Sequence, residues 1–272
     1  MGLRVNTNVA SLGAQRNLSQ ITNRLQGNYA RLASGLRIAT AADDAAGLGI
    51  SENMRAEIRS YGVAGRNAQD GLSLSQTAEG ALGEVSNILS RMRELAMQSA
   101  NGTLSTDDRS TLNSEFGALV SEIDRLSTDV EFNGISLLDG SASSVSIQVG
   151  LDSGQSIAVN LVDASSSTLG IGSAAGDSAT NAQTALAALD SAIATVNTSR
   201  GTLGADQNRI SSALRSIQSV RENMSAAESR IRDVDVAFET ADLTRNSILQ
   251  QAATSILSQA NTQPQLALSL LG

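Results

Sequence analysis

The sequence contains no Cys, His, Trp or Lys, one Pro (Pro264), and only 2% aromatics among 272 residues. Without His and Cys the usual zinc and haem sites, Ser-His-Asp triads, thiolate nucleophiles and disulfides are excluded. All 19 basic residues are Arg, which removes Schiff-base catalysis, Ser-Lys pairs and Walker-type phosphate loops. An enzyme made from this chain would have only carboxylates, hydroxyls and Arg to work with, and the reading is of a non-enzyme with no catalytic residue, metal or cofactor. Aromatic rings bring the largest apolar area per residue to a core, so their scarcity favours slender helices lined by Ala, Leu, Ile and Val over a thick globule. There is no apolar run of about 18 residues to span a membrane. Met1 to Leu12 contains no secretory h-region, and Asn6 stands where a myristoylation signal wants Ser or Thr.

The formal net charge is -8, which argues against a nucleic-acid partner, because neutralising phosphates needs a basic stripe. Its distribution says more than its sum. No acidic residue precedes Asp43, so Arg4, Arg16, Arg24, Arg31 and Arg37 are unopposed in residues 1–42. Near the other end Asp233, Asp235, Glu239 and Asp242 outweigh Arg245, and nothing beyond Arg245 is charged. The two ends are electrically complementary. Between Arg125 and Arg200 there is no basic residue, while Asp129, Glu131, Asp139, Asp152, Asp163, Asp177 and Asp190 all fall there. The middle of the chain is therefore expected to be acidic and solvated.

Hydrophobic periodicity gives the architecture. Leu189, Val196, Leu203, Ile210, Ile217, Met224 and Ile231 recur every seven residues, with a less regular companion row at Leu186, Ile193, Arg200, Gln207, Leu214, Arg221 and Glu228. A heptad sustained this far predicts a rod of the order of 70 Å facing partner helices. The register shifts after Ile231, and Val234, Phe238, Ala241, Arg245, Ile248 and Ala252 mark a second helix hinged near residue 230. Leu18, Ile21, Leu25 and Leu32 make a stripe on a first helix, interrupted at Gly35 and Ala39–Ala42, with Thr40 and Asp43 at capping-box spacing for the next. A further helix reads Ala78, Ala81, Val85, Ile88, Met92 and Leu95 and ends at Asn101-Gly102. Ser105 and Asp108 then repeat the capping-box spacing, and Leu112 to Leu126 lead to Asn133-Gly134. Alternation at Val145, Ile147, Val149 and at Ile157, Val159, Leu161 predicts a hairpin. The expected fold is mainly α: a long antiparallel helical bundle or coiled coil with a small β-hairpin region at its tip.

Candidate chemistry is sparse. Gly170-Ile171-Gly172-Ser173-Ala174-Ala175 imitates the start of a dinucleotide fingerprint with Asp190 at ribose distance, but no strand-helix alternation surrounds it, and a loop before the long helix is the preferred reading. Asp43-Asp44 and Asp107-Asp108 could be paired as acid and base; each stands at a predicted helix start, where capping of free N–H groups is preferred. Arg91, Arg93 and Glu94 read as a solvated helix face. The uncharged tail from Ser247 to Gly272 has an apolar stripe at Ile248, Leu249, Ile256, Leu257, Leu266, Leu268, Leu270 and Leu271. It either docks within one chain or completes a surface with other copies; marginal terminal helices without aromatic anchors favour the second.

Val5-Asn6-Thr7-Asn8, Leu32-Ala33-Ser34-Gly35-Leu36-Arg37-Ile38 and Asp43-Asp44-Ala45-Ala46-Gly47 together resemble the N-terminal signature of the bacterial flagellin family. So do Arg66-Asn67-Ala68-Gln69-Asp70-Gly71, Thr77 to Leu82, Arg93-Glu94-Leu95-Ala96 and Phe132-Asn133-Gly134. Ile248-Leu249-Gln250-Gln251-Ala252, Gln259-Ala260-Asn261, Pro264-Gln265 and Leu268 to Leu271 match the C-terminal one. The resemblance covers residues 1–140 and 176–272.

The resemblance implies a structural subunit of the extracellular flagellar filament, exported unfolded by the flagellum's own type III apparatus and assembled under a cap. It implies a terminal coiled-coil inner-tube domain of residues 1–42 with 233–272 and a helical-bundle outer-tube domain of 43–139 with 173–232, residues 140–172 being the β-hairpin part of the latter. Inner-tube packing would fall on Val5, Val9, Leu12, Leu18, Ile21, Leu25, Phe238, Ile248, Leu249, Ile256, Leu257, Leu268 and Leu271. Implied partners are further copies of the chain, hook–filament junction and cap proteins, and an export chaperone at the C-terminal region. The motif through which some flagellins meet Toll-like receptor 5 falls on Arg91, Leu95 and Glu115. The variable outer domains of larger relatives have no room here, and methylation of Lys is impossible. The hook–filament junction protein, which shares the terminal helices, is the alternative.

Overall fold

The structure, a computed structural model, describes residues 7–172 and 178–269, with 263–269 described by backbone alone. Its elements in chain order are α1 (Val9–Ser34), α2 (Ala45–Ser99), α3 (Thr106–Asp129), β1 (Glu131–Phe132), β2 (Ile135–Ser136), β3 (Ser144–Gln148), β4 (Ser156–Asn160), α4 (Ala179–Arg232) and α5 (Val236–Ser269). The helical class and the hairpin expected from the sequence are both present. Two compact units divide the chain, Met1–Ala56 with Asn223–Gly272 and Glu57–Glu222.

In the unit Glu57–Glu222 the core is a continuous apolar band. Leu74, Ala78, Leu82, Val85, Leu89, Met92 and Leu95 form the inner face of α2, at steps of three or four. Phe116 and Ile123 of α3 and Leu189, Val196, Leu203 and Ile210 of α4 close on it. The seven-residue repeat of α4 is thus buried from Leu189 through Ile217, with Met224 only half-buried. The fully buried companion row includes Ala185, Ala192 and Asp206, four positions ahead of the main row, while Leu186, Ile193 and Leu214 pack at the margin. Gln207 donates to Glu79 at 2.8 Å and Arg93 to Asp190 at 2.7 Å, which fixes α2 and α4 as antiparallel.

Helix boundaries follow the capping chemistry, with two differences from expectation. The Ser105–Asp108 capping box forms in both directions at the start of α3. At Thr40–Asp43, however, the box closes a turn instead of starting a helix: Asp43 accepts from the Ala39 and Thr40 amides and the Thr40 hydroxyl. The neighbouring Asp44 accepts from the Gly47 amide at 2.9 Å and opens α2. The second difference is continuity. The stripe beginning at Ala78 belongs to the same 55-residue helix that begins at Ala45.

Asn133 and Gly134 both have positive φ, 51° and 78°, the conformation a two-residue hairpin demands. They join β1 to β2 in register Phe132↔Ile135. In the second hairpin Val145 pairs with Val159 and Ile147 with Ile157. Ile157 and Val159 enter the core, and Asn67 donates to the Gln148 carbonyl at 3.3 Å, seating this hairpin on the flank of α2 near Gly71. A Cβ at Gly71 would stand 2.7 Å from Ile147 Cγ1, so the bare backbone is what admits the strand. At Asp206 the Asn160 amide and side chain both donate to the carboxylate, at 3.2 and 3.0 Å.

In the other unit α1 and α5 lie antiparallel. Asn8 donates to the Ala260 carbonyl at 2.7 Å and Ser11 to Asn261 at 2.6 Å, while Arg31 meets Glu239 at 2.7 Å at the far end. Gly35, at φ 71°, ends α1. Beyond it Leu36 bridges Asp233, the Val234 amide donates to the Gly35 carbonyl at 3.0 Å, and Ile38 is buried.

Candidate subunit interface

The seam between α1 and α5 is made of the wrong residues for a self-sufficient coiled coil. On α5 the buried positions are Glu239, Asn246, Ala253 and Ala260, spaced seven apart; on α1 they are Ser11, Ala14, Leu25 and Asn28. At its centre the Glu239 carboxylate accepts from Asn28 at 2.6 Å and from Arg31 Nε at 2.8 Å, and Asn246 donates to Asn28 Oδ1 at 3.0 Å. Among the described residues the complementary charge of the two chain ends is realised in one ion pair, Arg31–Glu239. Small and polar side chains remove little apolar surface from water, at about 25 cal/mol per Å², so the pairing is specified by polar geometry more than by burial.

The large apolar residues point the other way. Val9 is 62% exposed, Leu12 51%, Phe238 68%, Ile248 61%, Leu249 43% and Ile256 58%. Tyr29 and Val236, which the periodicity did not single out, join them. Leu18, Ile21 and Leu257 are half-buried and Leu25 buried, on the seam itself. The α5 stripe expected from sequence, Phe238, Ala241, Arg245, Ile248 and Ala252, is exposed throughout, one position away from the polar seam. Sequence reasoning ranked large side chains first and so missed Asn28, Glu239 and Asn246; the signal available was their heptad spacing with Ala253 and Ala260. Val5 and Leu271 lie outside the described residues, as does the side chain of Leu268.

The motif residues of the other unit are structural as placed. Arg91 bridges Glu115 of α3 at 2.8 Å and Glu94 at 3.0 Å, all exposed, and these carboxylates, Glu115 first, hold its guanidinium above its ordinary pKa. Leu95 is 2% exposed, beneath that pair and against Leu112 and Phe116. The structure therefore brings Arg91 and Glu115 together at the surface and leaves Leu95 as their support.

Among the described residues no other candidate gathers into a reactive site. The carboxyls of Asp43 and Asp108 are both pulled below the ordinary carboxylate range, Asp43 chiefly by the Thr40 amide and Asp108 chiefly by the Ser105 hydroxyl. That is the behaviour of capping groups, opposite to the raised pKa of a general acid. In the glycine-rich segment Gly170 has φ 72° and Ile171 is buried in the core, while Ser173 to Ala175 lie outside the described residues. Among the described residues no three acidic side chains gather where a metal could bind, and no helix is long and apolar enough to cross a membrane.

Comparison with known proteins bears on both ends of the chain. The bacterial flagellin N-terminal helical region matches residues 5–143 and the bacterial flagellin C-terminal helical region matches 186–271. The chain belongs to the bacterial flagellin family. A flagellin of Halalkalibacterium halodurans is 48% identical over 98% of this flagellin and 99% of its own length. The crystal structure of Bacillus cereus flagellin, 37% identical, covers 60% of this chain and 94% of that one with a TM-score of 0.52. A structure described as a flagellar hook-associated protein, from Vibrio parahaemolyticus, covers 70% of this chain with a TM-score of 0.60 at 15% identity, which shows a shared fold alone. Sequence identity separates the two readings where the fold does not, and the hook–filament junction alternative is not favoured.

The family's motifs now have physical content in this flagellin. Leu32 to Ile38 and Asp43 to Gly47 build the capped link between α1 and α2. Arg66 to Gly71 seats the β3–β4 hairpin through Asn67 and Gly71.

Proposed function

We propose that this chain is the self-assembling structural subunit of a bacterial flagellar filament, serving swimming motility, and that it works by packing and not by catalysis. The observation that carries this reading is the inverted seam of α1 and α5: mostly polar and small residues inside, Leu25 excepted, with Val9, Leu12, Phe238, Ile248, Leu249 and Ile256 facing out. Exposed apolar faces of this kind are covered when copies associate. On this reading residues 1–42 with 233–272 line the inner tube, and 43–139 with 173–232 form the outer tube, with 140–172 as its hairpin part. The chain would be secreted by type III export to the extracellular flagellum, meeting a chaperone at its C-terminal region, then the hook–filament junction and the cap.

Deletion of the last ~25 residues removes an uncharged helix that has little stability by itself. It should leave a soluble bundle that grows no filament by electron microscopy; normal filaments from the truncated chain would refute the reading. A host contact with Toll-like receptor 5 through Arg91, Leu95 and Glu115 is part of the same proposal. Leu95 is buried, so the informative variants are Arg91→Ala and Glu115→Ala. Receptor activation by monomer unchanged in that double variant would remove this part.

A further inference from the structure

Of the described arginines that make no ion pair, Arg59, Arg66 and Arg221 lie on neighbouring stretches of α2 and α4. Arg59, Gly62 and Arg66 occupy one stripe of α2 at helical spacing, and Arg221 of α4 reaches across so that its Nη1 lies 3.9 Å from where a Gly62 Cβ would be. All three guanidinium-bearing residues are exposed, and none has a carboxylate within ion-pairing distance among the described residues. Like charges held together without a counter-charge raise the local potential and favour an acidic partner.

The same unit carries three carboxylates, Glu131 exposed and Asp139 and Asp163 half-buried, in the stretch between Arg125 and Arg200 that has no basic residue. Glu131 pairs across β1–β2 with Ser136, whose side chain reaches Asp139, and the next residue, Gly140, lies against Asp163. This surface adjoins the Ser144 and Asn160 end of the β3–β4 hairpin, whereas Arg66 adjoins Asn67, which holds the Gln148 end. Five residues of strand keep the two ends apart by about 16 Å. Among the described residues no ion pair joins the basic and acidic surfaces within one chain.

We propose that the Arg59–Arg66–Arg221 patch docks on the Glu131–Asp139–Asp163 surface of a second copy of this chain. Two different complementary surfaces meeting between identical subunits make a head-to-tail contact, and such a contact repeats without closing, as an open filament requires. The inference rests on the filament-subunit reading and adds to it the surfaces by which neighbouring bundles are oriented. Exposed charges act through encounter and orientation, so the contact is sensitive to salt.

The experiment uses full-length protein and seeded elongation, followed by light scattering and electron microscopy, with circular dichroism checking the fold. Arg59→Glu, Arg66→Glu and Arg221→Glu together should slow elongation about tenfold or more at low ionic strength. Adding Glu131→Arg and Asp139→Arg to the same chain should restore it. If the triple reversal loses helical signal, Arg→Gln at the same positions replaces it, with slower elongation expected again. Reversed or neutralised chains that elongate like wild type, or a loss that the acidic-to-Arg changes do not relieve, overturn the proposal. Wild-type protein that grows no filament overturns the subunit reading itself, whereas wild-type growth with an unaffected variant overturns the patch alone.

Discussion

Glu239 is the side chain on which the pairing of the terminal helices turns. Buried, it accepts from Asn28 and twice from Arg31, so truncation leaves those donors without an acceptor. Glu239→Ala should weaken the α1–α5 pairing by about 1.5–3 kcal/mol, read as faster amide exchange over Asn28–Leu32 and Ala237–Asn246 with no change in the core of the other unit. A second contrast belongs to this scale. Leu95→Ala opens a cavity against Phe116 and should cost about 2–5 kcal/mol, while Arg91→Ala breaks only exposed, solvent-screened ion pairs and should leave stability nearly unchanged. Denaturation midpoints of the two variants separate support from surface. The resemblance to flagellins groups Arg91, Leu95 and Glu115, and the apolar stripe that ends at Leu95 marks that residue as inward-facing, but that α3 supplies the cover over it is a tertiary fact no local pattern reveals.

Individual elements differ in how openly the sequence declares them. The capping box at Ser105 and the repeat of α4 from Leu189 to Ile217 were legible, because cap chemistry is local and large apolar residues recur on one face. Thr40–Asp43 offered the same spacing and formed a turn, since Asp44 beside it is the better placed cap. The orientation of α5 was hidden for another reason. Its large side chains mark the face turned outward, and the seam is written in Glu239, Asn246, Ala253 and Ala260, which a hydrophobic pattern ranks last.

Two elements invite direct tests. Gly71→Ala forces its Cβ against the branched Cγ1 of Ile147 and should cost about 1–3 kcal/mol, seen as a lower thermal midpoint with exchange protection lost first in β3 and β4. At α3, the Ser105 hydroxyl and amide lower the Asp108 pKa below its ordinary 3.8. A carboxyl whose folded pKa lies below its unfolded one adds stability above the unfolded value, and that stability is lost as pH falls through the folded one. Amides of Asp107 to Arg109, after correction for intrinsic exchange, should lose protection on acidification below that range. Ser105→Ala should lose about 1 kcal/mol of capping and flatten this acid dependence.

For the molecule as a whole, composition and surface agree. A chain without His, Cys or Lys, and almost without rings, has little equipment for catalysis and is suited to long helices lined by small apolar residues. Its outward apolar residues are what an unassembled subunit would present. The measurement that bears most directly on this is filament growth by full-length protein carrying Phe238→Ser, Ile248→Asn and Ile256→Asn, three residues that face away from the α1–α5 seam. Monomers with wild-type helical content, an unchanged thermal midpoint for the bundle and no filaments by electron microscopy are the predicted result. Filaments of normal length from that triple variant would contradict the account.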